Sequence, residues 1–201
     1  MIEAKVRAHL GEFQLNVELR GEGVTCLAGK NGSGKSTLLR VLAGFLPVDE
    51  GNVLVGGTNI SNCSAEKRGI ILVTPASCFP HLRVDSHIMW GANLKKLRPS
   101  DEYVSRVKSG LGIDFAGTVG NLSRGMRQRV SLATALLSSP RAILVDEAFL
   151  GLHDREAFIR AYGTLAKEAG VDVIFTSQDE EDGRLGDHLY VMNDGVAAPK
   201  Y

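Results

Sequence analysis

The sequence predicts an α/β protein with a mostly parallel sheet, an N-terminal antiparallel β part and a helical stretch set within the chain. Three observations predict it. Residues 2–8 and 12–19 alternate apolar and polar positions, the period of a half-buried strand. Short apolar segments then alternate with segments of helical spacing, the order expected of a parallel sheet covered by helices. A glycine-rich loop joins one of these strands to the helix after it.

The elements follow in order. Phe13, Leu15, Val17 and Leu19 mark one face of the second strand, and Gly11 supplies the turn before it. Residues 24–28 form a short buried strand. Residues 35–43 carry Leu38, Leu39, Val41 and Leu42 at helical spacing, and Gly44 ends that helix. Strands are expected at 52–55 and 69–73. Residues 83–138 read as helical, interrupted by Pro99, Gly110, Gly112, Gly117 and Gly120. A strand at 142–145 leads to a helix at 154–169. A strand at 172–176 leads to a short acidic segment, and a last strand covers 188–192. There is no internal repeat or low-complexity linker, so residues 1–201 read as one domain with a helical subdomain at about 76–138.

Composition narrows the class. With 201 residues, 44% of them hydrophobic, the chain can bury a sizeable core. Its 23 basic and 23 acidic side chains cancel, which gives no electrostatic case for nucleic acid as a partner. Cys26, Cys63 and Cys78 are odd in number and form no CxxC pair, as expected of a reducing cytosol without a disulfide framework or zinc site. The N-terminus has no apolar signal core, and no apolar run approaches the roughly 18 residues of a spanning helix. A role at a membrane is therefore expected to run through a partner.

Gly29-Lys30-Asn31-Gly32-Ser33-Gly34-Lys35-Ser36 matches the full phosphate-loop pattern G-x-x-x-x-G-K-[ST]. Glycines let backbone N–H groups approach phosphate oxygens with no Cβ in the way. The helix that follows aims its positive end at the same anion. Lys35 is expected to neutralise the β/γ-phosphates of ATP. Ser36 is expected to join a Mg²⁺ shell, with Thr37 beside it. The fold class is thereby a P-loop NTPase core. A second strand, 142–145, ends in Asp146 and Glu147. Side chains alternate on a strand, so the two acids can divide the work, Asp146 holding Mg²⁺ through water and Glu147 polarising the attacking water. Read alone, the pair is equally an ordinary solvated strand end.

Leu122-Ser123-Arg124-Gly125-Met126-Arg127-Gln128-Arg129 resembles the LSGGQ signature of ABC ATPases, and Ser123 stands 23 residues before Asp146, a spacing similar to that family's. The resemblance covers nearly the whole chain. It implies two such domains paired head to tail, with Ser123 and Gly125 of one closing on the γ-phosphate held by the other. Ser123 also suits an ordinary helix N-cap, and both roles are compatible. Lys5-Val6-Arg7, Leu10-Gly11, Phe13-Gln14-Leu15-Asn16-Val17, Arg68-Gly69-Ile70 and Phe79-Pro80-His81-Leu82 look like archaeal molybdate/tungstate importer subunits. That likeness implies a permease docking near Phe79, Pro80, His81 and Leu82, although these four also suit a loop packed on its own core. It implies a cytoplasmic protein, peripheral on the inner face of the cell membrane, working with a second copy of itself or a sister ATPase subunit.

The chain departs from the family at several positions. Thr74-Pro75 stands where a Gln is expected. Ser177, followed by Gln178, stands for the switch histidine, and as the residue nearest that role it is the second expected catalytic residue beside Glu147. His153 stands for the dimer-loop Asp, with Asp154 one place late, and Arg124 and Met126 replace a Gly and the Gln of the signature. His9 and Phe13 are the aromatic candidates for adenine stacking. His81, His87 and His188 read as structural, since none falls in a metal-ligand cluster. Binding of MgATP should survive these changes, and hydrolysis should be slow, because a serine cannot become cationic at neutral pH. Two other readings stay open: a nucleotide-gated binding module with little hydrolysis, and a soluble ABC ATPase with no transport role.

Overall fold

In the computed structural model, which describes residues 1–200, the N-terminal alternation folds as a hairpin of β1 (Ile2–Leu10) and β2 (Phe13–Gly21). The strands are antiparallel, with Ile2 opposite Gly21 and Leu10 opposite Phe13. One face buries Ile2, Ala4, Val6, Leu15, Val17 and Leu19, while the residues between them face outward. β4 (Glu50–Val55) pairs with the free edge of β1, and a two-residue β5 (Thr58–Asn59) extends it. β3 (Val24–Ala28) is buried at all five positions, as a strand covered on both faces must be. It lies between β8 (Asp172–Ser177) and β9 (His188–Asn193), parallel to both. β7 (Ala142–Val145) runs parallel to β8, and β6 (Ile70–Val73) closes that side.

The antiparallel and parallel parts belong to one sheet. β10 (Val196–Pro199) joins them, antiparallel to β9 and parallel to β2, giving the order β5-β4-β1-β2-β10-β9-β3-β8-β7-β6. The parallel strands and the N-terminal antiparallel part are those the sequence predicts. The sequence reading stops its strands at 192 and misses β10, which forms through pairing rather than through any local pattern in Val-Ala-Ala-Pro.

The chain divides into two compact units. The first holds Met1–Leu72, Arg141–Glu147 and the described chain from Asp172 onward, and contains the sheet. The second holds Val73–Pro140 and Ala148–Val171. Its helices are α2 (Val84–Leu94), α3 (Asp101–Gly110), α4 (Arg124–Leu137) and α5 (Arg155–Glu168), with α4 packed on α2 and α3. The stretch expected to be helical thus becomes three helices, α2 to α4. Tyr162 of α5 is fully buried in this unit, its hydroxyl donating to Leu132 O at 3.3 Å. No helix among the described residues is long and apolar enough to cross a membrane.

In the first unit, the phosphate loop opens α1 (Lys35–Ala43), which buries Leu38, Leu39, Val41 and Leu42 in the core. Arg68 fixes its far end. The buried guanidinium donates to Val41 O at 2.8 Å, Leu42 O at 3.0 Å, Cys63 O at 3.0 Å and Ser61 O at 2.8 Å. A cation at the last carbonyls of a helix complements the negative end of its dipole. Gly44 terminates the helix at φ 85°, and a Cβ there would lie 2.5 Å from Arg68 Nε, so both its conformation and its neighbour require glycine.

Candidate functional site

β3 feeds straight into the loop. Gly29 takes φ 154°, and a Cβ on it would lie 2.3 Å from Met192 O. Gly34 takes φ 104°, and a Cβ on it would lie 2.5 Å from the Phe13 ring. The Gly29 N–H donates to Ser177 O at 3.1 Å and the Ser33 N–H to Lys30 O at 3.2 Å. Lys35 is only 6% exposed, and its Nζ donates to Gly29 O at 2.7 Å and Lys30 O at 2.8 Å, so the loop is closed on its own lysine. Burial pulls the Lys35 pKa down, and the charges of Glu147 and Asp146 oppose that pull. The Ser33 hydroxyl is buried with no hydrogen-bond partner among the described residues.

A cavity of about 290 Å³ opens over this loop, lined among others by Phe13, Asn31, Gly32, Lys35, Ser36, Thr37 and Glu147. Lys35, Ser36 and Thr37 form the first helical turn, whose N–H groups have no partner within the helix. Ser36 Oγ donates to Asp146 Oδ1 at 2.9 Å, joining the loop to the end of β7. Glu147 stands in the left-handed region at φ 56°, a strained place for a residue with a Cβ. Its N–H donates to Thr176 Oγ1 at 3.0 Å, and that hydroxyl lies 3.3 Å from Asp146 Oδ1.

Of the two aromatic candidates, Phe13 lines the cavity. The imidazole of His9 instead meets Asp49, 2.8 Å from Nδ1. Ser177 sits at the end of β8, beside the loop through its carbonyl. Its hydroxyl donates to the Asp182 carboxylate and accepts the Asp179 N–H at 3.0 Å, inside the turn to the 3-10 helix at Glu180–Leu185. Sequence reasoning missed Thr176 and Asp182. Nothing in the sequence sets them apart, because their roles depend on which strand lies beside β7 and how the acidic segment turns back.

The remaining candidates belong to the second unit. Ser123 caps α4, accepting the Met126 N–H at 3.3 Å, and Gly125 follows in the first turn. Thr74 is engaged by Ser77, whose Oγ accepts its N–H at 2.9 Å. His153 is exposed next to Asp154. The Phe79–Leu82 loop is held to α2 and α4. His87 Nε2 accepts the Phe79 N–H at 3.0 Å, His87 Nδ1 lies 2.8 Å from Thr134 Oγ1, and Ser131 Oγ donates to Ser77 O. The Phe79 ring packs 4.5 Å from that of Trp90, yet both stay more than a third exposed, and Leu94 is more open still. The loop is packed on its own unit and also presents an apolar surface.

A closed loop with a buried ammonium, backed by the parallel strands β3, β8 and β7, is the architecture of a P-loop nucleotide-binding core. The ABC transporter family model matches residues 13–150, and the chain belongs to that family. Its relatives include the molybdenum import ATP-binding protein ModC of Bordetella pertussis, 36% identical over 98% of this chain and 57% of the relative. Another is the spermidine/putrescine import ATP-binding protein PotA of Hahella chejuensis, 34% identical over 94% of this chain and 53% of the relative. The chain spans somewhat more than half the length of these curated relatives. An ATP-binding subunit of an ABC transporter superposes with TM-score 0.81 at 19% identity, covering 99% of this chain and 89% of that one. A nucleotide-free ATP-binding cassette gives 0.79 at 24% identity, covering 99% and 90%. Both share the fold.

The His87 geometry has a pH consequence. An Nε2 that accepts an N–H requires the neutral ring, and burial lowers its pKa from the ordinary 6.5. Between the folded and unfolded values the unfolded chain binds the extra proton. The stability contributed by neutral His87 is therefore complete above 6.5 and lost as pH falls through the folded value. Urea melts between pH 8 and 5 should show wild-type stability falling on the acid side by about 1 kcal/mol per pH unit at the steepest. His87→Gln should be weaker at pH 7.5 and flatter below it. Parallel profiles for the two proteins would contradict this.

Proposed function

We propose that this chain is the ATP-binding and slowly ATP-hydrolysing subunit of an importer, acting as a head-to-tail dimer. The observation that carries the reading is the buried Lys35 ammonium and Ser36 lining one cavity in the first unit, with Ser36 bonded to Asp146. The ammonium, the unpaired first-turn N–H groups and the buried Ser33 hydroxyl suit a polyphosphate, and Phe13 offers a ring face for a base. Ser36 and Asp146 are the right donors for Mg²⁺, hard oxygens already drawn together at 2.9 Å. When bound, the ion would neutralise phosphate charge there. Lys30, Asn31, Gly29, Gly32 and Gly34 shape the loop around it. Glu147, which lines the same cavity, would take a proton from water, a function worth about 10²–10⁴ in rate.

The solute follows the permease. The relatives are named for molybdenum in one case and for spermidine/putrescine in the other, so molybdate, tungstate or another small solute fits this chain only through its partner. The exposed Phe79–Trp90 pair supports permease docking near Phe79, Pro80, His81 and Leu82, on the cytoplasmic face of the membrane. The reading calls for no nucleic-acid partner. The commitment of the Ser177 hydroxyl to Asp182 favours slow turnover, since that group is drawn into its own turn. This is also the observation that supports a nucleotide-gated binding module as the second reading.

Saturating MgATP should raise the melting temperature, and Lys35→Ala should remove most of the rise, since the lost charge-assisted contacts are worth roughly 1.5–3 kcal/mol each. Equal shifts in the two proteins would defeat the reading.

Glu147→Gln keeps the side-chain shape but cannot accept the proton. With MgATP it should form a long-lived dimer by sedimentation, with Ser123 and Gly125 of one copy over the loop of the other. A variant that stays monomeric at high protein concentration points to a sister subunit as the partner.

A further inference from the structure

We infer that Thr176 is a positioning residue for both acids of the site, its hydroxyl setting the Asp146 carboxylate and the Glu147 backbone in register. The inference rests on the nucleotide-binding reading above. Thr176 is 3% exposed on β8, alongside the end of β7. A hydroxyl has one proton and two lone pairs. One lone pair accepts the Glu147 N–H at 3.0 Å. The proton then has two acceptors in reach, Asp146 Oδ1 at 3.3 Å and Val145 O at 3.5 Å, and the carboxylate is the stronger. Ser36 Oγ reaches the same Oδ1 at 2.9 Å. A single chain of contacts thus runs from Ser36 through Asp146 and Thr176 to Glu147.

The backbone explains why the contact matters. Glu147 at φ 56° has a left-handed conformation that an L-residue relaxes unless something holds it. The hydrogen bond to Thr176 fastens its N–H. Without that acceptor the peptide between Asp146 and Glu147 is free to turn, and the Glu147 carboxylate turns with it. The neighbouring Ser177 cannot substitute, because its hydroxyl is bonded to Asp182. The residue that holds Glu147 in register is therefore the one before the position where a switch residue is expected.

The test compares wild type with Thr176→Val, which keeps the shape and loses the hydroxyl, and Thr176→Ser, which keeps the hydroxyl. Steady-state hydrolysis and ATP-induced thermal shifts, titrated with Mg²⁺ and repeated in EDTA, are the readouts. Removing a group that orients metal-facing residues typically changes affinity or rate by about 10–100-fold. Thr176→Val should lower kcat by that factor with KM for ATP changed less than threefold. It should raise the Mg²⁺ concentration for half-maximal thermal shift about tenfold, and leave the shift in EDTA unchanged. Thr176→Ser should restore both. If the valine protein is insoluble, Thr176→Cys, a weak acceptor, should show the same pattern in milder form. A valine variant within twofold of wild type in both readouts overturns the proposal. So does a serine variant as impaired as the valine, since packing of the methyl would then be what matters. A wild type with no thermal response to MgATP overturns the nucleotide-binding reading and this inference together, an outcome distinct from either.

Discussion

A buried ammonium held by two backbone carbonyls is the contact on which the first unit is organised. Lys35 cannot sit at 2.7 and 2.8 Å from Gly29 O and Lys30 O unless the loop curls back on the helix it opens. The curl demands backbone angles that only glycine takes at low cost, and Met192 and Phe13 press against the glycines so closely that no side chain fits. The rest follows outward. β3 is buried along its length because it must deliver the loop from inside the sheet. Arg68 holds the other end of the same helix, so that its first turn stays aimed at the cavity.

The second organising feature is the meeting of neighbouring strand ends. β7 ends in two acids, and β8, parallel to it, brings Thr176 alongside them. Parallel pairing puts these ends at the same edge of the sheet, which is where ligands of open α/β sheets bind. Strain at Glu147 is tolerated there because the hydrogen bond from its N–H to Thr176 holds its position. Asp146 is nearly buried and receives hydroxyl protons from Ser36 and Thr176, while its charge acts on the Lys35 ammonium.

What the sequence discloses and what it hides divide along the range of the interactions. The bounds of β3 and of the helix at 35–43 are legible because glycine, apolar period and capping act within a few residues. The hairpin of β1 and β2 is legible for the same reason, although both strands run two residues past the alternating core. β10 is not legible, since four weakly patterned residues become a strand only when β9 and β2 lie on either side. Arg68 enters the sequence reading only through the Arg68-Gly69-Ile70 likeness, and its role appears when the fold brings it to carbonyls more than 25 positions away, at Val41 and Leu42. Ser177 draws notice by its alignment with an expected histidine. A short hydroxyl, however, finds its partner inside its own turn, and only coordinates disclose that. Phe13 is legible only as one of two aromatic candidates, and its place at the cavity, with Gly34 against its ring, is decided by the fold.

The central claim is that the loop at residues 29–37, and not another surface, receives the polyphosphate of ATP. Amide hydrogen exchange with and without saturating MgATP measures this residue by residue. The account predicts strong new protection of the amides at 31–37, with smaller protection at 146–147, as N–H groups gain phosphate acceptors and the strand ends tighten. Unchanged exchange across 31–37, with MgATP bound by an independent measure, would contradict it and place the nucleotide elsewhere.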